Sequence, residues 1–245
     1  MEKAIPWRAV APSDASAANS AIWAARDHRY GGLASRYKKD HCRLIRIMDP
    51  FTATPMQFST TLRADNWLLR NFCPGAARSH VPAGGLRFLQ EGKVRSIHCD
   101  LITEFRDGVQ VADLVVTHRE ERGRAFTWWW EIEQVAAAFN VVPMLRHEQE
   151  IRANPTLLTN LDRMCQHLVL HDQDDLHQQD QIRAAIPSSG TIRVAELQNE
   201  LRYSRYPLPT PEQFDSALFR LYRHGTVSVN IAEVSYGPSS TVSPA

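Results

Sequence analysis

The sequence predicts a mixed α/β fold followed by a smaller, mostly helical unit. Three observations lead there. Residues 41–170 alternate strand-like and helix-like segments. Residues 97–119 read as a hairpin, two apolar and partly alternating runs around Asp107-Gly108, a strong short-range turn signal. Residues 182–235 carry three short helical segments and one alternating apolar strand.

The elements follow in order. Residues 1–40 are rich in Ala, Ser and Arg and only weakly periodic, which predicts an N-terminal extension. Arg43–Met48 reads as a strand, followed by a Pro-bounded turn at Asp49–Pro55. Ser59 is placed to cap a helix running to about Phe72, with Leu62, Leu69 and Phe72 on its inner side, and Pro74-Gly75 ends it. Gly85–Gln90 and Lys93–Ile97 flank Glu91-Gly92 as a first hairpin, and the Asp107-Gly108 hairpin follows. Trp128–Phe139 reads as a helix and Val141–Leu145 as a short buried strand. Asn154-Pro155 then opens a helix with Leu157, Leu158, Leu161, Met164 and Leu168 at helical spacing.

Residues 171–181 are polar and acidic and read as a linker or an exposed helix start; His171 and His177 there lack any pattern that fixes metal geometry. Ile182–Ile186 and Val194–Leu201 are expected as short helices. Thr210-Pro211-Glu212 starts a third, with Pro at the first helical position, and Gly225 ends it. Thr226–Val234 is then expected as an edge strand. Three short helices and a strand are winged-helix spacing. The expected organisation is an extension over 1–40, an α/β domain over 41–170, and a winged-helix domain with a C-terminal tail over 171–245.

At 245 residues, 43% apolar and 22% charged, the chain has the composition of a soluble globular protein. No run reaches membrane-span length and the N-terminus lacks a signal-peptide core, so no membrane partner is expected. Cys42, Cys73, Cys99 and Cys165 form no CxxC pair, which points away from zinc and disulfides and toward a cytoplasmic location. No Ser/His/Asp arrangement or Gly-rich phosphate loop appears.

Net charge is only +1, but it is unevenly spread. Residues 26–46 carry Arg26, Arg29, Arg36, Lys38, Lys39, Arg43 and Arg46 around Tyr30 and Tyr37, which suits phosphate contact and stacking. Arg36, Lys38, Lys39 and Arg43 are therefore candidate DNA contacts, as are Arg220 and Arg223 on the third helix of the C-terminal unit. A solvated face and a protein-docking winged helix are the alternatives.

The hairpin strand opening at Asp100 resembles that of PD-(D/E)xK nucleases, in which an acid-x-Lys on the partner strand completes a divalent-metal site. The run from Phe58 through Leu62, Arg63, Asp65, Leu68, Leu69 and Phe72 to Pro74 resembles the opening helix of the TnsA family, the endonuclease subunit of heteromeric transposases. That family typically shows Ser-x-Leu-Glu, an apolar helix, then Phe-Asp-Pro. The resemblance continues through Gly92–Arg95, Arg106-Asp107-Gly108, Glu150–Pro155 and Leu158–Leu161, then over the C-terminal unit, covering roughly residues 43–235. It implies a restriction-endonuclease-like (PD-(D/E)xK type) core with a C-terminal winged-helix domain. Its partners would be DNA and the transposase and AAA+ ATPase subunits. Mg²⁺ would be held by a helix Glu, the hairpin Asp and an acid or amide two residues before a Lys, because hard cations need anionic oxygens.

Carried over by residue, the Glu position falls on Arg63 and the hairpin Asp on Asp100. With Asp107-Gly108 as a two-residue turn, Asp100 faces Val115, with Asp113 and Thr117 on the same face. The acid-x-Lys slot is then Asp113-x-Val115 or Val115-x-Thr117, or Val116-x-His118 with a bulge; none is complete. Asp113 is the best second carboxylate, a metal ligand with Asp100 if Mg²⁺ binds. His118 is the best stand-in for the Lys. The competing reading makes Asp113 a solvent-facing residue of an edge strand and His118 an ordinary strand-end His. Arg63 is expected to pair with Asp100, with Asp113 as a further candidate, because a carboxylate without its metal needs a counter-charge. His98, Trp128-Trp129-Trp130, Glu131 and Glu133 are lesser candidates.

The expected function is a transposition subunit binding DNA ends and transposase partners, its nuclease site eroded. One alternative is an active Mg²⁺-dependent endonuclease built on Asp100 and Asp113. Another is a domesticated DNA-binding regulator.

Overall fold

The computed structural model describes residues 7–9, 45–82, 86–90, 93–97, 99–117, 133, 136, 141–171, 176–202 and 210–245. It is a mixed α/β structure in two compact units. One comprises 1–46, 57–66 and 79–150; the other comprises 47–56, 67–78 and 151–245. Among the described residues, no helix is long and apolar enough to cross a membrane.

In the first unit, β1 (Trp7–Ala9) pairs antiparallel with β5 (Leu86–Gln90), which pairs with β6 (Lys93–Ile97) in the expected hairpin, Gln90 opposite Lys93. β1 falls within the stretch read as an extension. β2 (Ile45–Asp49) and β3 (Thr54–Phe58), whose residues 47–56 belong to the second unit, form a two-stranded sheet, so the Pro-bounded segment is a hairpin turn followed by a strand the sequence reading missed. α1 (Thr61–Asn71) follows, its residues to Asn66 lying in the first unit. Its N-terminal N–H groups are met by Thr60 rather than Ser59: the Thr60 hydroxyl accepts from Arg63 N at 3.3 Å.

β4 (Ala76–His80), β7 (Leu101–Phe105), β8 (Gln110–Val116) and β9 (Val141–His147) form a four-stranded sheet in that order. β7 and β8 are antiparallel, β8 and β9 parallel. Of the segment between β8 and β9, Glu133 and Ala136 are described, and both are helical. β8 is a central strand with both faces buried: Val111, Ala112, Asp113, Val115 and Val116 all lie inside. β9 is less enclosed than expected. Val141 is buried but Val142 is exposed.

The β7–β8 register corrects the sequence reading. Leu101 faces Asp113 and Glu104 faces Gln110, one residue from the expected pairing. The cause is the turn. Arg106, Asp107 and Gly108 form a three-residue loop in which Gly108 has φ +84° and donates to Phe105 O at 3.0 Å. The positive φ that a Gly supplies serves this loop as readily as a two-residue turn.

In the second unit, α2 (Glu148–Ile151) ends at its buried Ile151, and α3 (Pro155–Leu170) is capped by Asn154, whose Oδ1 accepts from Leu157 N at 2.9 Å. Then come α4 (Leu176–Ala185), β10 (Ile192–Arg193), α5 (Val194–Arg202), α6 (Pro211–Arg223), β11 (Val227–Val229) and β12 (Thr241–Pro244). The three strands form a sheet ordered β10-β12-β11, antiparallel throughout. α6 opens with a reciprocal capping box between Thr210 and Gln213. It closes with Gly225 N on Tyr222 O and Thr226 N on Leu221 O, a Schellman ending in which Gly225 has φ +68°. The expected strand 226–234 stops at Val229, because the backbone turns on itself at Asn230–Val234. β12 lies in what was read as a tail. Phe214, Leu218, Leu221, Leu197 and Ile182 fill the core.

Candidate functional site

Arg63 and Asn66 sit three residues apart on α1 and therefore share a face. Each meets one of the two carboxylates singled out on the hairpin. Arg63 Nε lies 2.6 Å from Asp100 Oδ1 in an ion pair whose side chains are 22% and 15% exposed. Arg63 Nη1 also donates to Ser59 Oγ. Asn66 Nδ2 donates to Asp113 Oδ2 at 3.0 Å.

Asp100 is held from the sheet as well. Its backbone N donates to Asp113 O at 2.8 Å, and its Oδ2 accepts from Val115 N at 2.8 Å. Val115 occupies the Lys position of the expected Asp113-x-Val115 slot. Its side chain is buried and apolar, and its backbone N–H serves Asp100. Asp113 is fully buried, not a solvent-facing edge residue. A carboxylate so enclosed requires hydrogen-bond partners, and Asn66 supplies one.

The network reaches β9. Asn66 Oδ1 accepts from Arg146 Nε at 3.2 Å, and Arg146 Nη1 lies 4.0 Å from Glu150 Oε2. The Asp113 carboxylate and the Arg146 guanidinium are thus joined through one amide, with Glu150 beyond Arg146. Asn66 and Arg146 escaped the sequence reading. Asn66 carried a signal, since it lies one helical turn from Arg63; Arg146 carried none, because its pairing depends on the parallel β8–β9 register.

The remaining candidates fall as follows. His118, Arg36, Lys38, Lys39, Arg43, His98, Trp128, Trp129, Trp130 and Glu131 lie outside the described residues. Glu133 is helical and exposed. Among the described residues, no group of three His, Cys, Asp or Glu is placed to hold a metal. His171 stacks on His167 with ring centroids 4.7 Å apart, and His177 hydrogen-bonds Gln181.

Arg220 and Arg223 require a correction. Both are buried, 7% and 4% exposed. Arg223 Nε donates to Asn71 O and Nη2 to Ala77 O, each at 2.8 Å, and its guanidinium lies 3.8 Å from the Phe51 ring centroid. Arg220 lies 5.9 Å from the same ring. These two cations lie in the interior of the second unit, not on its surface. Helical periodicity told which face they share but not that the turn carrying Phe51 covers it.

Two other features of the second unit are chemically quiet. Burial, with Asp162 and Asp49 nearby, pushes the Cys165 thiol up to about 12, so it is no nucleophile at neutral pH. A cavity of about 190 Å³ is lined by His171, Thr210, Glu212, Gln213 and Ser216 at the start of α6. Pro211 has no N–H there, Thr210 already accepts from Gln213 N, and Glu212 is an exposed carboxylate held below its ordinary value by backbone and Thr210 hydrogen bonds. An anion finds no cradle in it.

No family model matches the chain, and no curated protein sequence matches it.

Proposed function

We propose that the chain is a TnsA-like subunit of a heteromeric transposase that binds DNA ends and its transposase and AAA+ ATPase partners in the cytoplasm without cutting the DNA itself. The observation that carries this reading is the Arg63–Asp100 ion pair. Arg63 stands where the resemblance places a metal-binding Glu, and its guanidinium is on the one carboxylate that matches.

A Mg²⁺ ion does not fit that arrangement. A divalent ion about 4 Å from a guanidinium meets a repulsion on the order of 8 kcal/mol at an effective dielectric of about 20. The neighbouring carboxylate is already satisfied by Val115 N and Arg63. No hydrolytic step is therefore assigned to these residues.

The element order supports the fold part of the reading. A helix, a strand, a hairpin of a separate sheet, two further strands of the first sheet, a helical segment and a fourth strand parallel to the third suit a restriction-endonuclease-like core. The order helix–strand–helix–helix–strand–strand, with the sheet ordered β10-β12-β11, suits a winged helix.

That second unit favours docking over base reading. α6, in the position of a recognition helix, is buried along most of its length. Residues 231–236, in the position of the wing, are tied to α3. Asn154 Nδ2 donates to Ala232 O, Asn160 Nδ2 donates to Ile231 O and Val234 O, and Asn160 Oδ1 accepts from Tyr236 N. DNA contact then falls to the basic stretch carrying Arg36, Lys38, Lys39 and Arg43.

The test is duplex affinity over a salt series for the full chain and for Arg36→Ala/Lys38→Ala/Lys39→Ala/Arg43→Ala, alongside plasmid nicking in Mg²⁺ and Mn²⁺. The reading expects weaker binding by the variant, a salt slope smaller by up to about 3–4, and no nicking by the parent. Unchanged affinity and slope would remove the DNA-binding part. Nicking lost on Asp100→Ala would restore the active endonuclease.

A further inference from the structure

We infer that Arg63 is the resident cation of this centre, a side chain of the fold doing the neutralising and cross-linking work that a bound divalent ion does in a metal-dependent nuclease. The inference rests on the non-cleaving reading and goes one step further. It says what holds the centre together, and what the centre becomes when that residue is taken away.

The geometry is specific. Asp100 and Asp113 are joined by their backbones, and each meets a side chain of the same α1 face. Side chains three residues apart share one face of a helix, so Asp100 and Asp113 are both met from the same face of α1. Asp113 is fully buried and Asp100 largely so. An enclosed carboxylate such as Asp100 is costly to hold without a counter-charge. Arg63 meets that need from within the chain, and its Nη1 contact to Ser59 aims the guanidinium at Asp100 from the helix start. Val115 N and Asn66 Nδ2 then take further carboxylate lone pairs. The same contacts fix α1 to the start of β7 and the C-terminal half of β8, a task for which no metal is required.

The inference fixes the behaviour of variants at position 63. Arg63→Lys keeps a cation and is expected to stay indifferent to metal. Arg63→Gln removes the charge but keeps a polar side chain of similar reach, taking the guanidinium away from Asp100. That variant should melt lower than the parent and be stabilised by Mn²⁺ but not by the same ionic strength of K⁺. Adding Asp100→Asn should abolish the Mn²⁺ effect.

The experiment is thermal unfolding of the full-length chain, parent and the four forms Arg63→Lys, Arg63→Gln, Arg63→Gln/Asp100→Asn and Asp100→Asn, with Mn²⁺, with K⁺ and with EDTA. The expected result is a parent unmoved by any of the three, and a rise of several degrees with Mn²⁺ for Arg63→Gln alone. An Arg63→Gln chain as stable as the parent and equally blind to Mn²⁺ would overturn the inference while leaving the non-cleaving reading intact. A parent stabilised by Mn²⁺ through Asp100 would overturn both. If Arg63→Gln fails to fold, Mn²⁺ added during refolding is the second readout: recovery of the folded chain supports the inference, and no recovery counts against it.

Discussion

Arg63 Nε and Asp100 Oδ1 stand 2.6 Å apart, linking the first turn of α1 to the residue just before β7. Both side chains are mostly enclosed, so the pair is screened less than a surface ion pair. Arg63→Ala removes the cation from Asp100 and should cost about 1–3 kcal/mol, between the values of exposed and buried pairs. Chemical denaturation of parent and variant at equal pH reads this directly. A change of less than about 0.5 kcal/mol would make the pair a bystander.

Asn66 is the second anchor, and its amide uses both ends: Nδ2 donates to Asp113 and Oδ1 accepts from Arg146. Asn66→Ala removes both and should cost about 1–3 kcal/mol by taking a hydrogen-bond donor from a buried carboxylate. Asn66→Asp should be worse than Ala, because it sets a second carboxylate against Asp113. Equal stability of the two variants would show that Asp113 is neutralised elsewhere.

Arg223 tests the reassignment of the C-terminal cations. Arg223→Lys loses the fork that reaches Asn71 O and Ala77 O, since an ammonium is a point donor on a different stem. Stability should fall by about 2–4 kcal/mol, while the affinity of the folded chain for duplex DNA stays that of the parent. A selective loss of DNA affinity at parental stability would return Arg223 to the DNA surface.

Asp215 supplies a pH signature. Burial raises its carboxyl above the ordinary value of 3.8, only partly offset by the Tyr236 hydroxyl, which donates to Oδ1 at 2.5 Å. An acid with a raised folded-state pKa contributes stability below its unfolded value and loses it as pH rises through the folded value. At neutral pH the charged form is therefore a cost. Asp215→Asn keeps an acceptor for Tyr236 and should raise Tm at pH 7, with the gain shrinking below about pH 4. A variant less stable than the parent at pH 7 would contradict this.

What the sequence made legible was local. α1, α3 and α6 announced themselves through apolar periodicity and through Asn154, Pro155, Thr210, Pro211 and Gly225 at their ends. Both hairpins showed through Glu91-Gly92 and Asp107-Gly108. The register of the second slipped because Gly108 suits a two- or three-residue loop equally well, and one residue moves every partner. β1, β3 and β12 are too short to show a period. Arg63 opposite Asp100 was legible because a carboxylate of the resemblance had become a cation facing an unmatched acid. Asn66–Asp113–Arg146 was not, since three elements must be assembled before those side chains meet. Arg220 and Arg223 were read as outward because the turn that covers them, at Phe51, lies far away in sequence.

The central claim is that a guanidinium, not a divalent ion, neutralises Asp100. The most direct measurement is calorimetric titration of Mn²⁺ into the full-length chain, repeated with Asp100→Ala. The account predicts no saturable heat from the parent at millimolar Mn²⁺ and the same trace from the variant. Saturable binding by the parent that Asp100→Ala abolishes would contradict it.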